Sequence, residues 1–189
     1  MPACARSTAN RSSPKRRWST PRSTRGTIAT VSARSFEDFK AGDVYRSRVG
    51  RTISQADNTH FTLLTHNTNQ IHFNTHYAAQ TEFEKPLVNS FLTLAIVTGL
   101  MTPDTSERGF ALGIKDVTLP APLFEGDTLY ADTEVLEARP SRSRPGWGIV
   151  TLKQRGIKQD GTIVLVMTRV IMVPTRALAA SVRFPEPRA

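Results

Sequence analysis

His72, Asn67, Asn69 and Asn74 crowd one short polar run between the apolar residues near Leu64 and those near Ala78. Burying such a run is costly unless every polar group finds a partner, so it is either exposed or built into a site. An imidazole exchanges protons near neutral pH, which makes His72 the best acid or base of the run. The plain alternative is a histidine that only ties down a loop. Asn67 lies five residues earlier. Its amide cannot take a proton under ordinary conditions, but it can hold a water by hydrogen bonds. Four scattered histidines and one cysteine offer no metal-ligand spacing, so no metal is expected. No glycine-rich nucleotide loop is present either.

Elements on both sides must hold this run in place. Residues 44–53 read as a first strand, and Ser54 caps a helix through residue 65 with Asp57 at its third position. After the polar run, Asn89-Ser90 begins a second helix. Residues 91–101 of that helix are apolar on every side, the pattern of a buried helix, and Pro103 and Asp104 are expected to end it. Strands then dominate: 108–119, with Gly109 and Gly113 as bulges or close contacts, and 128–138. A basic loop at 140–148 leads to strands 149–159 and 162–173, joined by the hairpin signal Asp160-Gly161. This order predicts an α+β domain whose antiparallel sheet wraps one apolar helix.

The 189 residues suit one domain with tails, and 39% hydrophobic content suits a globular core. No apolar run is long enough to span a membrane. Cys4 stands alone, which excludes an internal disulfide and makes a reducing, cytoplasmic setting the default. The net charge of +9 comes almost wholly from residues 1–34, with seven Arg, one Lys and no acid. The remainder is close to neutral, so charge gives no case for nucleic-acid binding by the folded part. Residues 1–34 are expected to be disordered. They fit a mitochondrial-type leader, a basic arm, or sequence upstream of a later start at Val31. Residues 35–175 form the expected domain and 176–189 a second tail.

The polar run resembles the MaoC-like (R)-specific enoyl-CoA hydratases, whose pattern is Leu-Thr-Gly-Asp-x-Asn-Pro-Ile-His-x-Asp-x-x-Tyr-Ala. Leu64, Thr65, Asn69, Ile71, His72, Tyr77 and Ala78 match it. His66 replaces the glycine, Asn67 the catalytic aspartate, Gln70 the proline and Asn74 the second aspartate. Residues 120–129, with Gly126-Asp127-Thr128 ahead of a strand, are similar to the family's pattern after its central helix. The resemblance covers residues 36–175 and implies a single hotdog unit, a homodimer, and hydration or dehydration of an enoyl-CoA thioester. It makes His72 the catalytic residue and places Asn67 beside the reacting water, with Asp57, His66 or His76 as possible substitutes for the missing acid. Ser90, with Asn89, takes the position whose backbone N–H faces the thioester oxygen. Asn69, Arg142 and Arg144 are candidate substrate contacts, and Lys85 a weaker one. No cofactor is implied beyond the CoA ester itself.

The change from aspartate to Asn67 has a chemical rationale. A catalytic carboxylate repels a substrate carboxylate at short range, and an amide does not. The run therefore points to a short branched or dicarboxylic acyl-CoA of the mesaconyl-, itaconyl- or methylglutaconyl-CoA type. Two rivals stand beside this reading. A hotdog thioesterase would use a carboxylate on the central helix, and residues 91–101 contain none. A non-catalytic acyl-CoA-binding protein would account for the missing aspartate.

Overall fold

The computed structural model describes residues 33–180. The expectations for the leader up to residue 32, and for residues 181–189, lie outside the described residues. The fold begins slightly before the expected boundary. Ala33 is buried, and Arg34 bonds Asp104 while its guanidinium lies 4.1 Å from the centre of the Tyr45 ring. It also runs slightly past the other boundary, into helix α4 (Arg176–Ala179).

All strand pairs are antiparallel, and the sheet order is β1 (Val44–Arg46), β4 (Thr128–Pro140), β5 (Trp147–Lys158), β6 (Ile163–Pro174), β3 (Phe110–Thr118), with β2 (Arg51–Thr52) also on β4. Strands β4 (Thr128–Pro140), β5 (Trp147–Lys158) and β6 (Ile163–Pro174) are long and alternate in the strand period. Leu129, Ala131, Thr133 and Val135 of β4 are turned inward and buried. The Asp160-Gly161 hairpin forms as expected, with Gly161 at φ 88° and the Asp160 carboxylate accepting from the Thr162 N–H.

The expected first strand is two short ones, β1 (Val44–Arg46) and β2 (Arg51–Thr52). Between them the Ser47 hydroxyl accepts from the Ala131 N–H in place of a backbone carbonyl, and Gly50 lies against the Tyr130 ring. A side chain that takes over a ladder bond lets the edge bend without losing it.

Helix α1 (Gln55–Leu64) starts at Ser54 and Asp57 in a reciprocal capping box. Helix α3 (Ser90–Thr105) packs chiefly on β4 and β5. Gly156 of β5 allows that approach, because a Cβ there would lie 2.7 Å from Val97. Contrary to expectation, Pro103 does not end α3. The Thr102 and Thr105 hydroxyls donate to the carbonyls of Thr98 and Met101. Buried Asp104 pairs with Arg34 and Arg48, which ties down the last turn. The helix is also less enclosed than its sequence suggests, since Phe91 is 71% exposed and Ala95 and Gly99 share its open face.

Two apolar clusters fill the inner side of the sheet. One lies under α3 and includes Val97, Met101, Leu129, Leu165 and Met167. The other, with Val135, Val150, Leu152, Ile171 and Val173, is closed by Phe36 and Phe39 from a 3-10 turn. Strand β3 (Phe110–Thr118) forms the far edge, and all nine of its residues are exposed. Its register shifts near Gly113, as expected, and again around Asp116, which has a φ of 54°. Gly109 is a close contact, since a Cβ there would sit 2.6 Å from the Met172 carbonyl. Among the described residues no helix is long and apolar enough to cross a membrane.

Candidate functional site

The asparagines of the polar run are spent on shaping it. After α1 the chain reverses at His66, φ 55°, and the Asn67 N–H donates to the Thr62 carbonyl. Asn67 Oδ1 accepts from the Asn69 N–H at 2.9 Å, and Asn69 Oδ1 from the Ile71 N–H at 3.3 Å. Asn74 caps α2 (Thr75–Ala78) by accepting from the Tyr77 N–H. These are successive side-chain turns, which is why four polar residues fit here without a disordered loop. Asn67 keeps only its amide N–H2 uncommitted. Asn69 is exposed and serves the turn.

His72 is buried, and its Nδ1 lies 2.8 Å from the Leu87 carbonyl oxygen. A carbonyl only accepts, so Nδ1 carries the hydrogen and Nε2 keeps its lone pair. The imidazole is thus held in one tautomer and orientation, with one nitrogen ready to take a proton.

Asn58 joins this histidine to the start of α3. Its Nδ2 donates to the carbonyls of His72, at 2.7 Å, and Leu87, at 3.0 Å. Its Oδ1 accepts from the Asn89 N–H at 2.9 Å. Asn89 in turn accepts from the Phe91 N–H as the helix cap and donates to the Thr62 hydroxyl. Thr62, through its carbonyl, also holds Asn67. Residues 58, 62, 67, 72, 87 and 89 therefore form one hydrogen-bonded group at the N-terminus of α3. Sequence reasoning identified 67, 72 and 89 of these. The signal for the others was two polar residues four apart, Asn58 and Thr62, on the core-facing side of α1.

Ser90 is the first residue of α3, and a helix leaves its first N–H groups unpaired. Beside it opens a cleft of about 210 Å³ lined by Leu87, Val88, Ser90, Thr93, Leu123 and Val164 among others. His72 and Asn67 do not line it directly. His72 adjoins it through Leu87, whose carbonyl holds the ring.

The remaining candidates fall elsewhere. Asp57 is at the opposite end of α1, where it caps Ser54 and bonds Arg51 at 2.7 Å. Hydrogen bonds from Ser54, and then the Arg51 charge, hold its carboxyl below the usual carboxylate value. It is thus not placed to replace the missing acid. His66 and His76 are exposed on the loop and on α2. Lys85 lies over the Phe124 ring at 4.4 Å. Arg142 and Arg144 occupy the β4–β5 loop, which follows the far end of β4, and the Arg144 guanidinium is 5.7 Å from the Phe110 ring centre. Thirteen residues of β4 span about 40 Å, so within one protomer these arginines do not join the His72 group.

The profile of the mesaconyl-CoA hydratase family matches residues 24–182. A mesaconyl-CoA hydratase of Haloarcula marismortui is 30% identical over 148 residues, which are 77% of this chain and 41% of that protein. An (R)-specific enoyl-CoA hydratase of Aeromonas caviae is 26% identical over 68% of this chain and 92% of its own length. Among solved structures, a MaoC-domain protein of Chloroflexus aurantiacus superposes with a TM-score of 0.75 at 27% identity, over 86% of this chain and 46% of its own. The chain spans under half the length of the mesaconyl-CoA hydratases it matches. The expected hotdog fold is the one observed. By its profile match, its fold and its polar run, the chain belongs to the mesaconyl-CoA hydratase family, among the MaoC-like hotdog proteins.

Proposed function

We infer that this protein adds water to, or removes it from, the double bond of an enoyl-CoA thioester. The observation that carries the reading is the His72–Leu87 hydrogen bond at the start of α3. It fixes a buried imidazole with Nε2 free, next to a helix terminus that borders a cleft. In the hydration direction, water accepts a hydrogen bond from Asn67 Nδ2 and donates to His72 Nε2. Its oxygen adds to Cβ as His72 takes its proton, and the electron pair moves toward the thioester oxygen. The Ser90 N–H, backed by the α3 dipole, stabilises that oxygen. His72 then returns the proton to Cα, which restores the thioester and the neutral ring.

The thioesterase reading lacks its carboxylate. The acidic residue of α3, Asp104, lies in its last turn, ion-paired with Arg34 and Arg48. The names of the relatives support a short branched or dicarboxylic acyl group, as does the neutral Asn67. A homodimer is supported by β3, the open edge, where Phe110, Leu112, Ile114 and Val117 all stand exposed. Purified protein given crotonyl-CoA and mesaconyl-CoA, with loss of enoyl-thioester absorbance as the readout, tests the reading. Turnover abolished in His72→Ala supports it, whereas release of free CoA thiol with no hydration overturns it in favour of hydrolysis.

A further inference from the structure

One length of chain both walls the cleft and seats the imidazole. Residues 81–88 run from α2 toward α3 and bring Phe83, Leu87 and Val88 to the cleft. Much of the remaining lining comes from residues 119–123. The Leu87 carbonyl is the acceptor that fixes the His72 ring. A shift of this strap therefore changes the width of the cleft and the aim of His72 together. The strap opens on a turn built by Thr81, whose hydroxyl donates to the Ala78 carbonyl and accepts from the Phe83 N–H. Glu84 follows with a φ of 58°. A residue with a Cβ holds the left-handed region only where its surroundings impose it.

What meets the strap at that point is Phe124. The Phe83 ring lies 6.3 Å from it, centre to centre, at an angle of 56°, and the Lys85 ammonium lies 4.4 Å from its centre. Both separations are those of attractive ring–ring and cation–ring contacts. The two chain neighbours of Glu84 thus rest on one ring. Backbone contacts continue the join: Leu87 is bridged to Phe124, and the Val88 N–H donates to the Leu123 carbonyl. Phe124 is itself anchored to the sheet. Its N–H donates to the Asp127 carboxylate, which also accepts from Lys158 and Gln159 where β5 turns into its hairpin. Neither Phe124 nor Lys85 lines the cleft.

We propose that Phe124 is a positioning residue of the reaction: its ring, held by Phe83 and Lys85, fixes the strap so that the Leu87 carbonyl keeps the His72 Nδ1–H and leaves Nε2 aimed at substrate. This rests on the hydratase reading above and adds to it a residue that acts on the imidazole only through the strap. An aliphatic side chain at 124 keeps the backbone bridge to Leu87 but removes the face on which Phe83 and Lys85 rest. The strap then relaxes at Glu84. Among the described residues the Leu87 carbonyl is the one hydrogen-bond partner of the His72 ring, so the ring loses its single orientation. The cleft keeps its lining residues, and a bound thioester is held nearly as before while proton transfer slows.

Phe124→Leu and the exposed Lys85→Met are compared with the wild type, and Phe124→Tyr is the conservative variant. Nitrogen-15 NMR of the ligand-free protein reads His72 without any turnover. The wild type is expected to show one tautomer, with its hydrogen on Nδ1. Phe124→Leu is expected to show both tautomers and about tenfold faster exchange of that hydrogen with solvent. Lys85→Met shifts the same signals less, and Phe124→Tyr restores the wild-type pattern. With the better of crotonyl-CoA and mesaconyl-CoA, kcat falls about tenfold in Phe124→Leu while KM stays within about twofold. Saturated butyryl-CoA cannot be hydrated, and its binding by calorimetry stays within the same range. Unchanged His72 signals and kcat in Phe124→Leu overturn the proposal. So does a lower melting temperature with weaker butyryl-CoA binding and the tautomer intact, which makes the ring a packing residue alone. A tautomer change in a protein that hydrates neither ester upholds the positioning role and removes the hydratase reading. A wild type that hydrates either ester, with Phe124→Leu its equal, keeps the hydratase and removes the positioning role.

Discussion

At the scale of single residues, the site depends on how one imidazole is held. His72→Ala removes the group placed to move protons, and kcat is expected to fall by about 10²–10⁴-fold with the fold intact. Steady-state kinetics beside a circular dichroism spectrum checks both halves. Asn58 is a positioning residue, since it bonds the His72 and Leu87 carbonyls and the Asn89 N–H at once. Asn58→Ala leaves those buried groups short of partners and is expected to cost about 2–3 kcal/mol of stability. It should also lower kcat more than it raises KM, because the ring loses its aim rather than the substrate its contacts. Urea melts and a kcat-against-KM comparison test this; a variant as stable and as active as wild type removes Asn58 from the account. His72, Asn67 and Asn89 were legible in the sequence because their types are chemically distinctive at that spacing. Asn58 was not. It is an asparagine inside an ordinary helix, and only its burial and its bonds to the His72 and Leu87 carbonyls reveal what it does.

At the scale of elements, the sequence was most informative where chemistry is local. The Ser54–Asp57 capping box, the Asp160-Gly161 hairpin and the apolar α3 each follow from a few adjacent residues. What escaped was set by distant contacts: the continuation of α3 through Pro103 depends on Asp104 meeting Arg34 and Arg48, more than fifty residues away. The capping box also gives a pH prediction with a definite sign. The Asp57 carboxyl has its pKa depressed in the fold, so its stabilising effect is fully present above the unfolded-state value, about 4. That effect is lost as pH falls through the lower folded value. Melting temperatures of wild type and Asp57→Ala should therefore differ by a constant amount near neutrality and converge in acid; a gap that persists at low pH contradicts the assignment. A second test concerns Gly148, where an added Cβ would collide with the Phe36 ring. Gly148→Ala should push the Phe36–Phe39 turn off the second apolar cluster and destabilise the protein by about 1–3 kcal/mol.

At the scale of the whole molecule, a row of large apolar side chains is left open along one edge of the sheet. Strand β3 exposes four large hydrophobic side chains, and Leu119 just beyond it is a fifth. Among the described residues the ion pair along that edge, Lys115 with Asp116, is itself largely exposed and does little to protect it. Nearby in the chain, α3 leaves Phe91, Ala95 and Gly99 uncovered. A second copy related by a two-fold axis would pair β3 with its own counterpart antiparallel, extending both sheets and bringing the two exposed helix faces together. Ile114, directly opposite Arg169, is the informative position. If β3 pairs with its own copy in this way, the wild type sediments as a dimer and Ile114→Glu as a monomer. A dimer that survives this substitution would show that β3 is covered by something other than its own copy.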